Sequence, residues 1–186
     1  MDCTILVNRN HRLSHTYIPS CLTEAAILFD APSGDSRRLL NLPAARAAEK
    51  LFSAAREQGI FLYGISGYRS YERQKELYEE RIKASDSTYT DLYLAPPGAS
   101  EHQTGLALDV SCPAADMQLE DNFSQTKEGQ WLSANAPLFG FIIRYPKGKE
   151  KITGYAWEPW HIRYVTKSLA LYLTLTGLTL DEYYHQ

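Results

Sequence analysis

Cysteine is scarce in this chain: Cys3, Cys21 and Cys112 are three scattered residues among 186. An odd, unpatterned set argues against a disulfide framework and fits a reducing compartment. Long apolar runs are missing too. The longest candidate, Leu169 to Leu180, is too short and too rich in threonine to span a bilayer. The opening residues, MDCTILVNRN, have neither the basic region nor the apolar stretch of a secretory leader. These absences lead to the expectation of a cytoplasmic protein, or else of one whose leader or anchor is not in this sequence. Charge of one sign is also lacking. A net charge of −3 gives no electrostatic reason to expect nucleic acid or an anionic membrane as partner. Repeats, low-complexity tracts and long linkers are absent as well, so one domain over residues 1–186 is expected.

What is present is ordinary for a globular protein. Apolar and charged fractions of 44% and 22% exclude disorder, and the length suffices for a proper core. Tyrosine is plentiful, and its apolar ring with a polar tip suits the walls of a polar cleft as well as a core.

Residues 1–41 read as irregular, with one candidate strand at Thr4–Val7 and a turn at Pro32–Asp35. Pro43 suits the first position of a helix running to about Gln58, with Gly59 as its stop. Ala44, Ala47, Ala48, Leu51, Phe52 and Ala55 recur along it at helical spacing. Ile60–Ser66 reads as a strand, and Ser70 as the N-cap of a helix over Tyr71–Lys83. A strand at Leu106–Val110, a helix at Lys127–Asn135 and a strand at Gly140–Tyr145 follow. Leu169–Thr176 fits strand and helix periods equally. Thr179 with Glu182 makes a capping box for a last short helix. Strands alternating with helices in so short a chain predict an α+β domain with a small mixed or antiparallel sheet.

Three segments carry chemistry: SEHQTGLALD (100–109), EPWH (158–161) and SGYRS (66–70) with Gln74 on the next helix. A catalytic zinc needs three ligands from His, Asp, Glu or Cys and one open position. His102, Asp109 and His161 supply two imidazoles and a carboxylate, and a tight turn at Gly105 could bring the first two to one side. In isolation His102 reads as a satisfied structural histidine; the three segments together favour a ligand. Glu158 is a candidate general base beside a metal-activated water, with Pro159 restraining the backbone towards His161. It reads equally as a surface glutamate next to a turn proline. Arg69 presents a planar, permanent charge for a substrate carboxylate or a developing oxyanion. Gln74 could bond a peptide backbone, and Trp160 suits a core as well as a cleft wall. Cys112 lacks a second cysteine at metal spacing and reads as a small buried residue. His11, His15 and His185 lie in terminal segments and are not read as ligands.

These residues resemble the zinc D-Ala-D-Ala peptidases that include the VanY and VanXY vancomycin-resistance enzymes. The resemblance rests on SGYRSYERQ (66–74), PPGASEHQTGLALDVS (96–111), GFIIRYP (140–146) and EPWHIRYV (158–165), and it extends from Ser66 to Val165. SxHxxGxAxD combined with ExWH is specific. It implies one Zn²⁺ on His102, Asp109 and His161, Glu158 as catalytic base, and Arg69 acting on the substrate carbonyl or its charged end. Gln74 and Ser100 fall where the family contacts substrate, and Ser66 and Trp160 are further candidate contacts. The implied fold is a compact α+β domain whose central antiparallel sheet bears the zinc, with Leu169–Thr176 helical. The implied activity is removal of terminal D-Ala from D-Ala-D-Ala-ending peptidoglycan precursors, in glycopeptide resistance.

Some members of this family carry an acidic residue just before the GYR segment, where this chain has Ser66. The expectation is therefore carboxypeptidase action, with dipeptidase action less supported. Rival readings are an endolysin-type L-alanyl-D-glutamate peptidase and a zinc-bearing binding module of hedgehog type. Thr88–Ala99 is the segment expected to close over substrate.

Overall fold

The computed structural model describes residues 2–84 and 92–185. Among the described residues, six strands form two sheets. A two-stranded ribbon pairs β1 (Leu22–Glu24) with β2 (Leu39–Asn41). A four-stranded antiparallel sheet runs in the order β3 (Tyr63–Ser66), β4 (Ala107–Ser111), β6 (His161–Tyr164), β5 (Phe141–Ile143). The α+β expectation and its antiparallel sheet are thereby met.

The sheet is covered on both faces. Helix α1 (Leu42–Glu57) buries Ala44, Ala45, Ala47, Ala48, Leu51, Phe52 and Ala55 in the main core. Its small residues let the helix approach closely. Leu108, Val110, Phe141 and Ile162 belong to that same core, while alternate residues Ile142 and Asp109 do not, as the two-residue period of a strand requires. On the other side Ile142 joins Val165, Leu169, Ala170, Leu173 and Leu180 in a satellite core. The candidate site residues Asp109 and His161 lie on this second face. In register, Ser66 opposes Asp109 and Asp109 opposes His161, so they form one row across three strands.

Local signals explain the ends of the helices. Gly59 follows α1 at φ +72°, and the Ile60 amide reaches back to the Ala55 carbonyl, a Schellman-type closure. Ser70 caps α2 (Tyr71–Ala84), accepting the Arg73 amide at 3.1 Å. Thr126 likewise caps α3 (Lys127–Asn135), accepting from Gly129 at 2.9 Å. One short helical turn, α4, spans Glu150–Thr153. Leu169–Thr176 falls in helix α5 (Lys167–Thr176), where Leu169, Ala170 and Leu173 are buried and Leu175 is left exposed. The Thr179–Glu182 capping box opens α6 (Leu180–Tyr184). Among the described residues, no helix is long and apolar enough to cross a membrane.

Thr4–Val7 is not a strand. The carbonyls of Cys3 and Ile5 accept from the Arg163 side chain, and that of Thr4 accepts from the Tyr184 hydroxyl. Side chains have taken the acceptors a strand partner would need. The segment read as irregular contains β1 and β2, and β6 was not read at all. The strands expected at Ile60–Ser66 and Gly140–Tyr145 shorten to Tyr63–Ser66 and Phe141–Ile143.

Candidate metal centre

His102 sits in a 3-10 turn, Glu101–Thr104, rather than on an open loop. The turn ends at Gly105 with φ +67°, where a Cβ would meet the Asn41 amide and Leu22 at 2.9 Å. Only glycine combines that left-handed geometry with that closeness. The chain then enters β4, bringing Asp109 to the row that also holds His161. Gly67 has a different reason. Its backbone packs against β2, so that a Cβ would lie 2.5 Å from the Leu39 carbonyl oxygen.

His102, Asp109 and His161 each offer a ligand atom, all within 4.8 Å of one another, and all three residues are buried. Asp109 Oδ2 lies 3.2 Å from His102 Nε2, and Oδ1 lies 2.8 Å from His161 Nδ1. Ligand bonds of 2.0–2.1 Å in a tetrahedron give edges of about 3.3 Å, close to the 3.2 Å between Asp109 Oδ2 and His102 Nε2. The tautomers agree as well. His102 Nδ1–H donates to the Gly67 carbonyl at 2.7 Å, which leaves Nε2 free to coordinate. This is the only group of its kind among the described residues. Cys112 is buried in the main core and takes no part in it, nor do His11, His15 and His185.

Glu158 Oε2 lies 3.8 Å from His161 Nδ1. Burial, together with the nearby charge of Asp109, overrides His161 and Arg69 and pushes its carboxyl up to about 8 in the metal-free protein. Asp109 is the opposite case. Burial would raise it, but His102 and His161 hold it well below the usual carboxylate range. Burial also opposes charge on His161, yet Asp109 and the facing Glu101 and Glu158 raise it to about 10; on His102 burial prevails and lowers it.

Arg69 is held by neutral partners: Nη1 donates to Gln74 Oε1 and Nη2 to Ser66 Oγ, both at 3.0 Å. Among the described residues no carboxylate lies within ion-pair distance of it, so its charge is directed into the cleft uncompensated. Gln74, read as a backbone contact, is buried at 1% exposure with its amide on Arg69 and on the Ala95 carbonyl. Ser100 is buried at the head of the 3-10 turn without capping it. Trp160 meets both of its readings, packing in the main core and lining the cleft.

These residues share a cleft of ≈ 520 Å³, within the range of small-molecule sites. Of the segment expected to close over it, 88–91 lie outside the described residues, while Tyr93, Leu94 and Ala95 line the wall. Sequence reasoning missed Glu101 and the tyrosines Tyr145 and Tyr155, which also line it. It also missed Arg144 and Arg163, both at 0% exposure. The available signal was a charge set inside the apolar runs FIIRY and HIRYV.

Comparison with known proteins places this arrangement. Residues 23–167 match the VanY family, described as D-alanyl-D-alanine carboxypeptidase. The chain is 41% identical over 181 residues to YodJ of Bacillus subtilis (strain 168), covering 97% of this chain and 66% of that one. It is 34% identical over 187 residues to VanXYC of Enterococcus gallinarum, a bifunctional D-Ala-D-Ala dipeptidase and carboxypeptidase, covering 99% and 94%. Among solved structures, the LD-carboxypeptidase LdcB superposes with a TM-score of 0.92 at 41% identity, covering 97% and 84%. A glutamate-to-alanine mutant of the D,D-pentapeptidase VanY, solved in complex with Zn(II), gives 0.80 at 32%, covering 98% and 99%. VanYB in complex with D-alanine-D-alanine gives 0.81 at 32%, covering 99% and 98%. The chain therefore belongs to the VanY family of D-alanyl-D-alanine carboxypeptidases.

Proposed function

We propose that this chain is a zinc carboxypeptidase that removes the C-terminal D-alanine of peptidoglycan peptides. The observation that carries the reading is the buried His102–Asp109–His161 cluster with Glu158 beside it and the charge of Arg69, held by the neutral Gln74 and Ser66, in the same cleft. Zinc held by those three residues would lower the pKa of water and polarise a carbonyl. Glu158, beside those residues, would as a carboxylate accept a proton from the attacking water and deliver it to the departing amine of D-alanine. Arg69 meets the negative charge that the substrate brings or develops.

The family description and the D-Ala-D-Ala complex of VanYB support a D-Ala-D-Ala end as substrate. Carboxypeptidase action is preferred over dipeptidase action. Ser66 is neutral and occupied by Arg69, so that position offers no carboxylate to the free amine of a dipeptide. A contribution to vancomycin resistance depends on this D,D-cleavage.

A second reading, L,D-cleavage, is favoured by the likeness to LdcB, which exceeds that to VanY in both TM-score and identity. The two readings differ in the residue before the scissile bond, which is D-alanine in the first and an L-configured residue in the second. The test is D-alanine release from a pentapeptide ending in D-Ala-D-Ala and from a tetrapeptide whose D-Ala follows an L-centre. Faster cleavage of the pentapeptide supports the first reading, and cleavage of the tetrapeptide alone replaces it with the second. Release from neither overturns the proposal.

A further inference from the structure

Glu101 stands next to a ligand in the chain but faces another one in space. Its carboxylate is buried at 1% exposure. Oε1 accepts from Arg144 Nε at 2.7 Å and from Arg163 Nη1 at 2.6 Å. Oε2 has no hydrogen-bond partner among the described residues, and neither has His161 Nε2. These two buried atoms face each other at 3.6 Å, just beyond hydrogen-bond length. Leaving a donor and an acceptor both unpaired in the interior is unfavourable, whereas a slight tilt of the imidazole joins them.

The arginines are themselves braced. Arg144 Nη1 donates to Asp181 Oδ2 at 2.6 Å, and Asp181 Oδ1 accepts from Asn8 Nδ2 at 2.8 Å. Arg163 Nη2 is tied to the carbonyls of Cys3 and Ile5. Two carboxylates and two guanidinium groups cancel, so the network is balanced in charge, with Arg144 Nη2 its one guanidinium nitrogen left without a partner among the described residues.

We propose that Glu101 is a positioning residue for the metal centre: Oε2 accepts a hydrogen bond from His161 Nε2–H and so turns Nδ1 towards the metal. This rests on the reading of His161 as a ligand. The geometry supports it from both ends of the ring, since Nδ1 is the nitrogen beside Asp109 Oδ1. The substitution Glu101→Gln tests it sharply. With its amide oxygen kept on the arginines, the Gln amino group faces Nε2 and demands a lone pair there. The proton must then sit on Nδ1, where the metal should be.

The experiment measures zinc affinity by competition with a chromophoric chelator for wild type, E101Q and D181N, with the melting temperature of each metal-free protein. The expected result is a loss of about 10–100-fold in zinc affinity for E101Q, the range seen for such outer partners. D181N, at the far end of the network, should lower the melting temperature and leave zinc affinity unchanged. Equal losses of zinc affinity in both variants would make the effect general destabilisation and overturn the proposal. A second measurement, long-range proton–nitrogen NMR of zinc-loaded wild type, does not depend on the variants folding. A His161 proton on Nε2 is expected, and a proton on Nδ1 overturns the proposal. Wild type that binds no zinc would overturn the metal reading itself, an outcome distinct from zinc bound with the wrong tautomer.

Discussion

Glu158 and Asp109 are both carboxylates in one cleft, and their surroundings push them apart. Asp109 lies between two imidazoles and stays ionised; Glu158 is buried with a weaker share of positive charge and holds its proton to about pH 8 without metal. Such separation fits the roles proposed for them, Asp109 as ligand and Glu158 as proton carrier. His161, raised to about 10, carries a second proton that a metal must displace.

The sign for stability follows. Glu158 and His161 lie above their ordinary values of 4.5 and 6.5, so between those values and about 8 and 10 the folded protein binds more protons than the unfolded one. Their contribution to metal-free stability is complete at low pH and is lost as pH rises through those ranges. Zinc binding releases protons, so its affinity rises with pH. Melting chelator-treated and zinc-loaded protein from about pH 5 to 9 should show a widening gap between the two. A constant gap would contradict the protonated His161. Arg69→Ala should lower kcat/KM by about 10²–10³ with zinc still bound, as for loss of a charge-stabilising donor. Unchanged steady-state kinetics would remove Arg69 from the chemistry.

Elements rather than single groups fix where the ligands meet. The cross-strand row Ser66–Asp109–His161 exists because β3, β4 and β6 pair in that order and register. The left-handed turn at Gly105 sets the approach of His102. Gly105→Ala would place a methyl against Asn41 and Leu22 in a strained conformation, costing at least about 1–3 kcal/mol. A melting temperature equal to wild type would show the turn to be more tolerant than its geometry implies. Helices with written signals were legible: Gly59, Ser70 and the Thr179–Glu182 box end or begin elements where the sequence placed them. The short strands β1 and β2 were not, because three residues carry no period. Nor was α5 separable from a strand, since Leu169, Leu171, Leu173 and Leu175 alternate while packing alone selects Leu169 and Leu173.

Across the whole molecule, what brings the functional residues together is long-range. Residues from 66 to 161 converge in one cleft, and the sequence shows them only as separate segments with suitable chemistry. The donor set was legible because zinc restricts ligand types so strongly. The Glu101–Arg144–Arg163–Asp181 network was not, since partners lie up to 62 residues apart within the Glu101 contacts and no spacing rule connects them. That network ties Cys3, Ile5, Asn8 and Asp181 to the turn carrying His102.

The central claim is tested most directly by D-alanine release from a peptidoglycan pentapeptide ending in D-Ala-D-Ala, with zinc, with chelator, and with Glu158→Gln. The account predicts release by the zinc-loaded protein, loss with chelator that zinc restores, and a drop of about 10²–10⁴ for Glu158→Gln with zinc retained. Release that survives chelator, or a Glu158→Gln protein as active as wild type, would contradict it.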